Sequence, residues 1–442
     1  MDRGGAGVIT HRRVLNIALP IVLSNATIPI LGAVDTGIIG QLGQAAPIGA
    51  VGMGAIILVS VYWIFGFLRM GTSGLVAQAR GAGDGAEGGA VLIRALLIAG
   101  AAGCAMILLQ GVLVWAAFRI APASAEVEGL AREYIAIRIW GAPATIGLYA
   151  VTGWLIAMER TRAVLLVQLW LNAVNVGLDL WFVLGLGWGV PGVAAATLIA
   201  EWSGLALGLW LCRPAFLGGA WRDWAAILNA DRLREMGRVN GDIMLRSVLL
   251  QGSFTTFVFL GAGKGDVTLA ANQVLLQFLE ITAYALDGFA FSAEALVGQA
   301  VGARARAGVR QAAVRCSQWG VAGAGVLSAA FWLGGPAVID LMTRAPEVRE
   351  AARLYLPWVV LGPLVGVASW MFDGIFIGAT MTREMRNAMI FSVAVYGAAL
   401  TVLVPAFGNH GLWAGLMVLN ATRGIAMGAL YGRVELKAAR PV

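Results

Sequence analysis

The sequence predicts an all-α polytopic membrane protein: twelve transmembrane helices in two pseudo-symmetric six-helix bundles. Three observations predict it. The 442 residues are 59% hydrophobic and 12% charged, with mean hydropathy +0.80, whereas a soluble domain carries roughly 25% charged residues. Apolar segments of about 20 residues, long enough to span a bilayer, recur twelve times along the chain. The second half also repeats the first at a shift of 221 positions (299 − 78 = 221).

The repeat holds in three separated blocks. Gln78, Gly81 and Arg94 fall on Gln299, Gly302 and Arg315. Glu126, Val127, Ala131, Arg132, Tyr134 and Gly141 fall on Glu347, Val348, Ala352, Arg353, Tyr355 and Gly362, and Thr161-Arg162 falls on Thr382-Arg383. Two copies of one apolar unit in a single chain are how many transporters are built, with the substrate route between the copies.

The predicted spans run roughly over 14–39, 48–70, 90–118, 131–157, 163–185 and 190–211, then 239–262, 268–298, 313–341, 352–378, 387–406 and 411–432. The longest interruption, 212–238, carries Arg213, Arg222, Arg232, Arg234 and Arg238. It is the linker between an N-terminal lobe, 1–211, and a C-terminal lobe, 239–442. Of the 31 basic residues, 21 fall in the N-terminus, the even-numbered loops and the C-terminus, and six fall on the opposite side. Positive charge stays inside, so both termini are expected in the cytoplasm of a bacterial inner (plasma) membrane protein. Arg69, Arg138, Arg246 and Arg423 lie within spans.

The net charge of +7 follows from this asymmetry and has no basic stripe with interleaved aromatics, which excludes nucleic acid as a partner. Cys104, Cys212 and Cys316 are far apart and show no disulfide or metal spacing, so no metal site or cofactor is expected. The short basic start, Met1 to Arg13, is no cleavable signal. Without a G-x-x-x-x-G-K-S/T loop the chain hydrolyses no ATP, and uphill work must be driven by an ion gradient.

Acids inside a membrane span need a reason, because an ionised Asp at a helix centre costs about 2.5–3.5 kcal/mol. Asp35 lies in the last third of the first helix, in Gly-Ala-Val-Asp-Thr-Gly, with no basic residue within a turn and Ser24 on its face. A buried carboxyl without a partner is suited to loading and releasing a proton, unless solvent simply wets the helix mouth. Pro20 and Pro29 each remove a backbone hydrogen bond, so this helix can bend or is statically kinked.

The fifth helix carries Gln168, Asn172, Asn175 and Asp179 at spacings of 4, 3 and 4, all on one face. Such a stripe faces the bundle or a cavity, as a binding wall or as interhelical glue. Thr197 on the next helix is a further polar candidate. On the eighth helix Gln273, Gln277, Glu280, Tyr284, Asp287, Phe291 and Glu294 recur at 4, 3, 4, 3, 4, 3. With Asp373 on the tenth helix they read as a cation-attracting cavity wall, or as a seam neutralised by Arg246, Arg423 or Arg69. Asp242 and Arg246, four apart, are expected to pair with each other.

Val34-Asp35-Thr36-Gly37-Ile38-Ile39-Gly40-Gln41-Leu42-Gly43 resembles the first-helix motif of the multidrug and toxic compound extrusion (MATE) family. Leu286-Asp287-Gly288-Phe289-Ala290-Phe291-Ser292-Ala293-Glu294-Ala295-Leu296-Val297-Gly298-Gln299 resembles its DinF-like branch. The resemblance spans the whole chain. It implies a V-shaped pair of six-helix lobes and a cation-coupled antiporter that expels amphipathic, often cationic drugs. It further implies coupling residues in the N-terminal lobe: the first-helix Asp matches Asp35 and the fifth-helix Asn-x-x-x-Asp matches Asn175 and Asp179. A fourth-helix Tyr matches Tyr134, a sixth-helix Thr matches Thr197, and the proline at which the first helix bends matches Pro20. The tenth-helix acid of the NorM-type sodium site corresponds to Asp373. That site's seventh-helix Glu has no match here, since Asp242 lies too near the helix start, which favours protons over sodium.

Alternatives are a lipid or glycolipid flippase, favoured by a basic cavity, and a sodium-coupled exporter. An intramembrane prenyltransferase needs Asn-x-x-x-Asp-x-x-x-Asp for its Mg²⁺, but the position after Asn175 and Asp179 is Val183. A metalloprotease needs His-Glu-x-x-His, and His11 and His410 lie in no such motif. The expected partners are therefore small-molecule drugs and membrane lipids, with a monomer as the default state.

Overall fold

A computed structural model describes residues 8–41, 44–121, 123–217 and 219–439. Among these residues every regular element is helical. In chain order they are α1 (His11–Ala26), α2 (Ile28–Gly40), α3 (Ala45–Ile64), α4 (Phe67–Gly81), α5 (Gly85–Leu108), α6 (Gln110–Ile120), α7 (Ala125–Arg138), α8 (Ala142–Ala157) and α9 (Thr161–Asp179). After α10 (Gly189–Leu211) come a short α11 (Trp224–Ile227) and six long helices: α12 (Ala230–Ala262), α13 (Asp266–Gly302), α14 (Arg306–Met342), α15 (Pro346–Gly378), α16 (Thr382–Phe407) and α17 (Asn409–Ala439).

Ten helical stretches among the described residues are long and apolar enough to cross a membrane. Five of the expected spans differ from an unbroken rod: the second is interrupted at Phe65 and Gly66, the third at Leu109 and the fourth by a 3-10 turn, Ile139–Gly141. The first splits at Thr27, whose N–H bonds to the Ser24 carbonyl at 3.1 Å and whose hydroxyl donates to the same oxygen at 2.8 Å. The cause is local. Pro29 has no N–H for the Asn25 carbonyl, so the α-helical ladder cannot run through. The fifth leaves the α-helical repeat after Asp179 and continues as a π-helical turn, Leu180–Gly185.

The chain divides into two compact units. One comprises the described residues of Leu23–Val76 and Asp84–Met236. Here α10 packs with α7, α8 and α9, and α5 packs on α8. Glycines allow close approach: a Cβ on Gly153 would strike the Arg69 carbonyl, and one on Gly54 would overlap the Tyr134 ring. The linker is fastened within this unit. Buried Arg94 on α5 donates to the carbonyls of Ile227 and Ala226, both at 2.7 Å, and pairs with Glu87 at 2.7 Å.

The other unit comprises the described residues of Met1–Val22, Ala77–Gly83 and Gly237–Val442. Its larger core gathers Phe257, Leu275, Phe278, Phe331, Leu400 and Trp413. The Phe257 and Trp413 rings meet edge to face at 4.9 Å. Asn272 and Asn409 exchange hydrogen bonds of 2.8 and 2.9 Å, and Trp413 Nε1 donates to Asn272 Oδ1 at 2.9 Å, so the buried amides are satisfied. A second core sets Ala18 of α1 among Leu286, Phe289, Ala324 and Met371.

The sequence repeat is written into the backbone. Left-handed φ occurs at Gly83 and Arg304, at Glu159 and Thr380, and at Gly187 and Gly408. Each pair is 221 apart (304 − 83, 380 − 159, 408 − 187). The Gly153–Arg69 approach has its counterpart at the same offset in Gly374, where a Cβ would strike the Ala290 carbonyl. The repeated Gln-x-x-Gly segments lie on each other. A Cβ on Gly81 would strike the Gln299 carbonyl, and one on Gly302 would strike the Gln78 carbonyl. Gln78 Nε2 also donates to the Gly378 carbonyl at 2.9 Å and to Thr380 Oγ1 at 3.0 Å. Because the obstacle is backbone, Gly81→Val is expected to cost about 2–3 kcal/mol, the upper range for overpacking. A lowered thermal unfolding midpoint in detergent checks this, with Gly83→Ala, which meets open space but a strained φ, as comparison.

Candidate functional site

The polar side chains of the unit formed by Leu23–Val76 and Asp84–Met236 converge from five helices. α2 brings Asp35, α9 brings Asn175 and Asp179, α10 brings Thr197, α7 brings Tyr134 and α3 brings Tyr62. Asn175 and Asp179 are both fully buried. The Asp35 and Asp179 carboxyls face each other at hydrogen-bonding range. No N–H or O–H of the described residues reaches Asp35 Oδ1 or either oxygen of Asp179. Two ionised carboxylates are acceptors only, so such a contact needs a proton or a cation between them.

The rest of the cluster supplies more acceptors. Asn175 Nδ2 donates to Thr197 Oγ1 at 3.0 Å, and the Thr197 hydroxyl is committed to the Val193 carbonyl at 2.9 Å. Asn175 Oδ1 is buried without a hydrogen-bond partner among the described residues. The π-helical turn begins directly after Asp179. Such turns are frequent at functional sites, because they free backbone groups and redirect side chains.

Tyr134 joins through an intermediary. It is 2% exposed and hydrogen-bonded to Arg138, one turn along α7. Arg138 Nη1 in turn meets Glu201 Oε2 at 2.5 Å, with both side chains buried. Arg138 and Glu201 were not among the expected site residues. Arg138 was visible as a basic residue within a span, and Glu201 lies four positions after Thr197, on the same face of α10. Gly141 makes the room, since a Cβ there would strike Glu201 Oε2.

Gln168 and Asn172, open between a binding role and glue, act at the helix break. Gln168 Nε2 donates to Asn172 Oδ1 at 3.0 Å, and Asn172 Nδ2 donates to the Thr27 carbonyl at 3.4 Å. Pro20, the expected bending point, is buried inside α1 with no interruption. The interruption falls at Thr27, with Pro29 in the first turn of α2. Ser24 is buried beside it.

In the other unit the seven-residue seam of α13 grades from surface to core. Gln273, Gln277 and Glu280 are exposed, Tyr284, Asp287 and Phe291 are half-buried, and Glu294 is buried. Asp373 has the partners of the second reading, the neutralised seam: both Arg246 and Arg423 bind its Oδ2. The expected Asp242–Arg246 pair does not form. Asp242 pairs with Arg386 at 2.5 Å and accepts from Thr382 at 3.2 Å. The i,i+4 spacing lost because partners on α15 and α16 offered better geometry than a neighbour on the same helix.

The MatE family model matches twice, over residues 20–181 and 243–403. The chain belongs to the MatE family. It is 39% identical over 421 residues to DNA damage-inducible protein F of Escherichia coli (strain K12), covering 95% of this chain and 91% of that protein. It is 25% identical over 443 residues to a probable multidrug resistance protein NorM of Pseudomonas aeruginosa, covering 92% and 86%. Among solved structures it matches the Vibrio cholerae MATE transporter VcmN in the bent form with TM-score 0.82 and 20% identity, covering 97% of both chains. Family membership places it in the DinF-like branch. The two MatE matches, one per half, agree with the doubled backbone pattern.

Proposed function

We propose that this chain is a proton-coupled efflux antiporter that exports amphipathic, often cationic compounds by alternating access. The Asp35–Asp179 pair carries the reading. Two facing carboxyls, with no donor among the described residues on Asp35 Oδ1 or on either Asp179 oxygen, hold together only while a proton or a cation lies between them, so the site has a loaded and an unloaded form. The multidrug resistance named for the Pseudomonas relative supports the substrate class.

In this reading Asp35, Asp179, Asn175, Tyr134 and Thr197 form the coupling network, and Arg138 and Glu201 hold Tyr134 in place. Proton loss leaves two like charges in contact, and the repulsion moves α2 relative to α9. The break at Thr27 absorbs the motion, and Pro20 bends α1 on the other side of it. The twelve helical segments form two six-helix halves, with lobes at 1–211 and 239–442 joined by the linker 212–238. Both termini face the cytoplasm of a bacterial inner membrane, and the protein works as a monomer. Gln273, Gln277, Glu280, Asp287 and Glu294 supply an acidic wall that attracts cationic cargo.

Coupling is tested with proteoliposomes loaded with a cationic amphipathic dye. An imposed pH gradient is expected to drive dye efflux, and an imposed sodium gradient at constant pH is not. Efflux driven by sodium alone would replace the shared proton by Na⁺, which the acceptor-only cluster also suits. A flippase of the same superfamily is the second reading, favoured by the buried arginines Arg246 and Arg423.

A further inference from the structure

The unit containing Gly237–Val442 holds a buried charge cluster that the proton reading does not use. Arg246 of α12 and Arg423 of α17 converge on one oxygen of Asp373, which projects from α15. Arg423 Nη2 donates to that Oδ2 at 2.6 Å, and Arg423 Nη1 donates to Asn420 Oδ1 at 3.2 Å. The nearest acid in sequence, Asp242, is engaged by Arg386 and Thr382. Guanidinium groups do not lose their charge in proteins. The cluster therefore carries two positive charges against one negative charge.

Such an excess is costly inside a span. Two guanidiniums drawn to one oxygen also repel each other. The hydrogen bonding is unfinished among the described residues: Arg246 Nε is buried without an acceptor, and Asp373 Oδ1 without a donor. All three side chains are buried, with 8%, 6% and 10% of their surface accessible. An oxyanion complements the two arginines. It cancels the surplus charge, separates the two guanidiniums and offers the planar or tetrahedral oxygens that arginine forks match.

We infer that Arg246 and Arg423 form a binding site for the oxyanionic head group, phosphate or carboxylate, of an amphipathic molecule. The inference goes beyond proton coupling and does not depend on it: the site lies in the other unit and is read by binding rather than by transport. Asp373 is then a competitor for the arginines and not a cation ligand. It holds them in place when the site is empty, and it weakens the anion by its own charge.

The test uses the full chain purified in a neutral maltoside detergent and titrated with decyl phosphate, with decanol as the uncharged control. Ligand that binds the folded state raises the unfolding midpoint. Decyl phosphate is expected to raise it and decanol is not. Asp373→Asn removes the competing charge and is expected to bring the rise on at about tenfold lower decyl phosphate, a shift worth about 1.4 kcal/mol. Arg423→Gln leaves a neutral Arg246–Asp373 pair and is expected to lose the rise. The opposite signs, each read against the variant's own ligand-free midpoint, separate binding from general destabilisation. Phosphatidylglycerol in nanodiscs identifies the source. A rise there matching decyl phosphate points to a lipid head group, and a rise with decyl phosphate alone points to a free amphiphile. Equal behaviour of decyl phosphate and decanol, or a weaker response in Asp373→Asn than in the unchanged protein, would overturn the site.

Discussion

Asp35→Asn abolishes drug-dependent proton release. In reconstituted vesicles, adding a cationic amphipathic drug to the unchanged protein releases protons, measured with a pH-sensitive dye. In the variant the release is expected to fall by at least about tenfold, equivalent to about 1.4 kcal/mol of lost coupling. The amide matches the carboxyl in shape and donates to Asp179 through Nδ2, so it imitates the proton-loaded pair permanently. Nothing then separates the two side chains, and α2 has no reason to move. Asp179→Asn removes the same shared proton from the other side. Two members of one pair act as a unit, so the double variant is expected to be no worse than either single one. Proton release that survives in Asp35→Asn, or falls further in the double variant, would sink the shared-proton mechanism.

Much of the fold and part of the site were legible in the sequence, and the boundary between the two has a physical basis. Span lengths and hydropathy reveal helices, because a bilayer forces each crossing to satisfy its own backbone. A constant offset reveals the repeat, and the structure adds its mechanical content: the doubled Gln-x-x-Gly segments lie carbonyl to glycine on each other. Helical spacing put Asn175 and Asp179 on one face, and the structure brings Asp35 to that face. Pairings across helices were not legible. Asp242 and Arg246 have the right spacing for each other, yet both found partners on other helices. Charge in a low-dielectric interior pairs by three-dimensional proximity, and spacing along one helix carries only a few tenths of a kcal/mol. The break at Thr27 was half legible. Pro20 and Pro29 both remove a backbone hydrogen bond, and sequence alone does not say which one interrupts the helix. Ala18 is buried among α13, α14 and α15 residues, and α1 runs unbroken past Pro20 to Ala26.

Arg138→Met is the substitution with the largest expected cost in stability. Arg138 and Glu201 are 6% and 9% exposed and meet at 2.5 Å. Removing one partner of a buried ion pair strands the other charge, typically at about 3–5 kcal/mol. It also takes the hydrogen bond from Tyr134, whose ring is wedged against Gly54. Glu201→Gln keeps an oxygen for Arg138 and is expected to cost less, because a charged donor with a neutral acceptor still saves part of the bond. The double variant Arg138→Met with Glu201→Met leaves no charge to strand. It is expected to recover most of the loss, since apolar replacements of buried pairs are often neutral. Thermal midpoints in detergent order the series: Arg138→Met lowest, Glu201→Gln between, the double variant nearest the unchanged protein. Transport separates structure from coupling. If the pair only holds α7 to α10, the double variant exports dye normally. If it positions Tyr134 beside the Asp35–Asp179 proton, the double variant is stable and yet couples poorly. The second outcome is the expected one, because Arg138 is the residue through which Tyr134 is tied to the cluster, and methionine cannot hold a phenol in place.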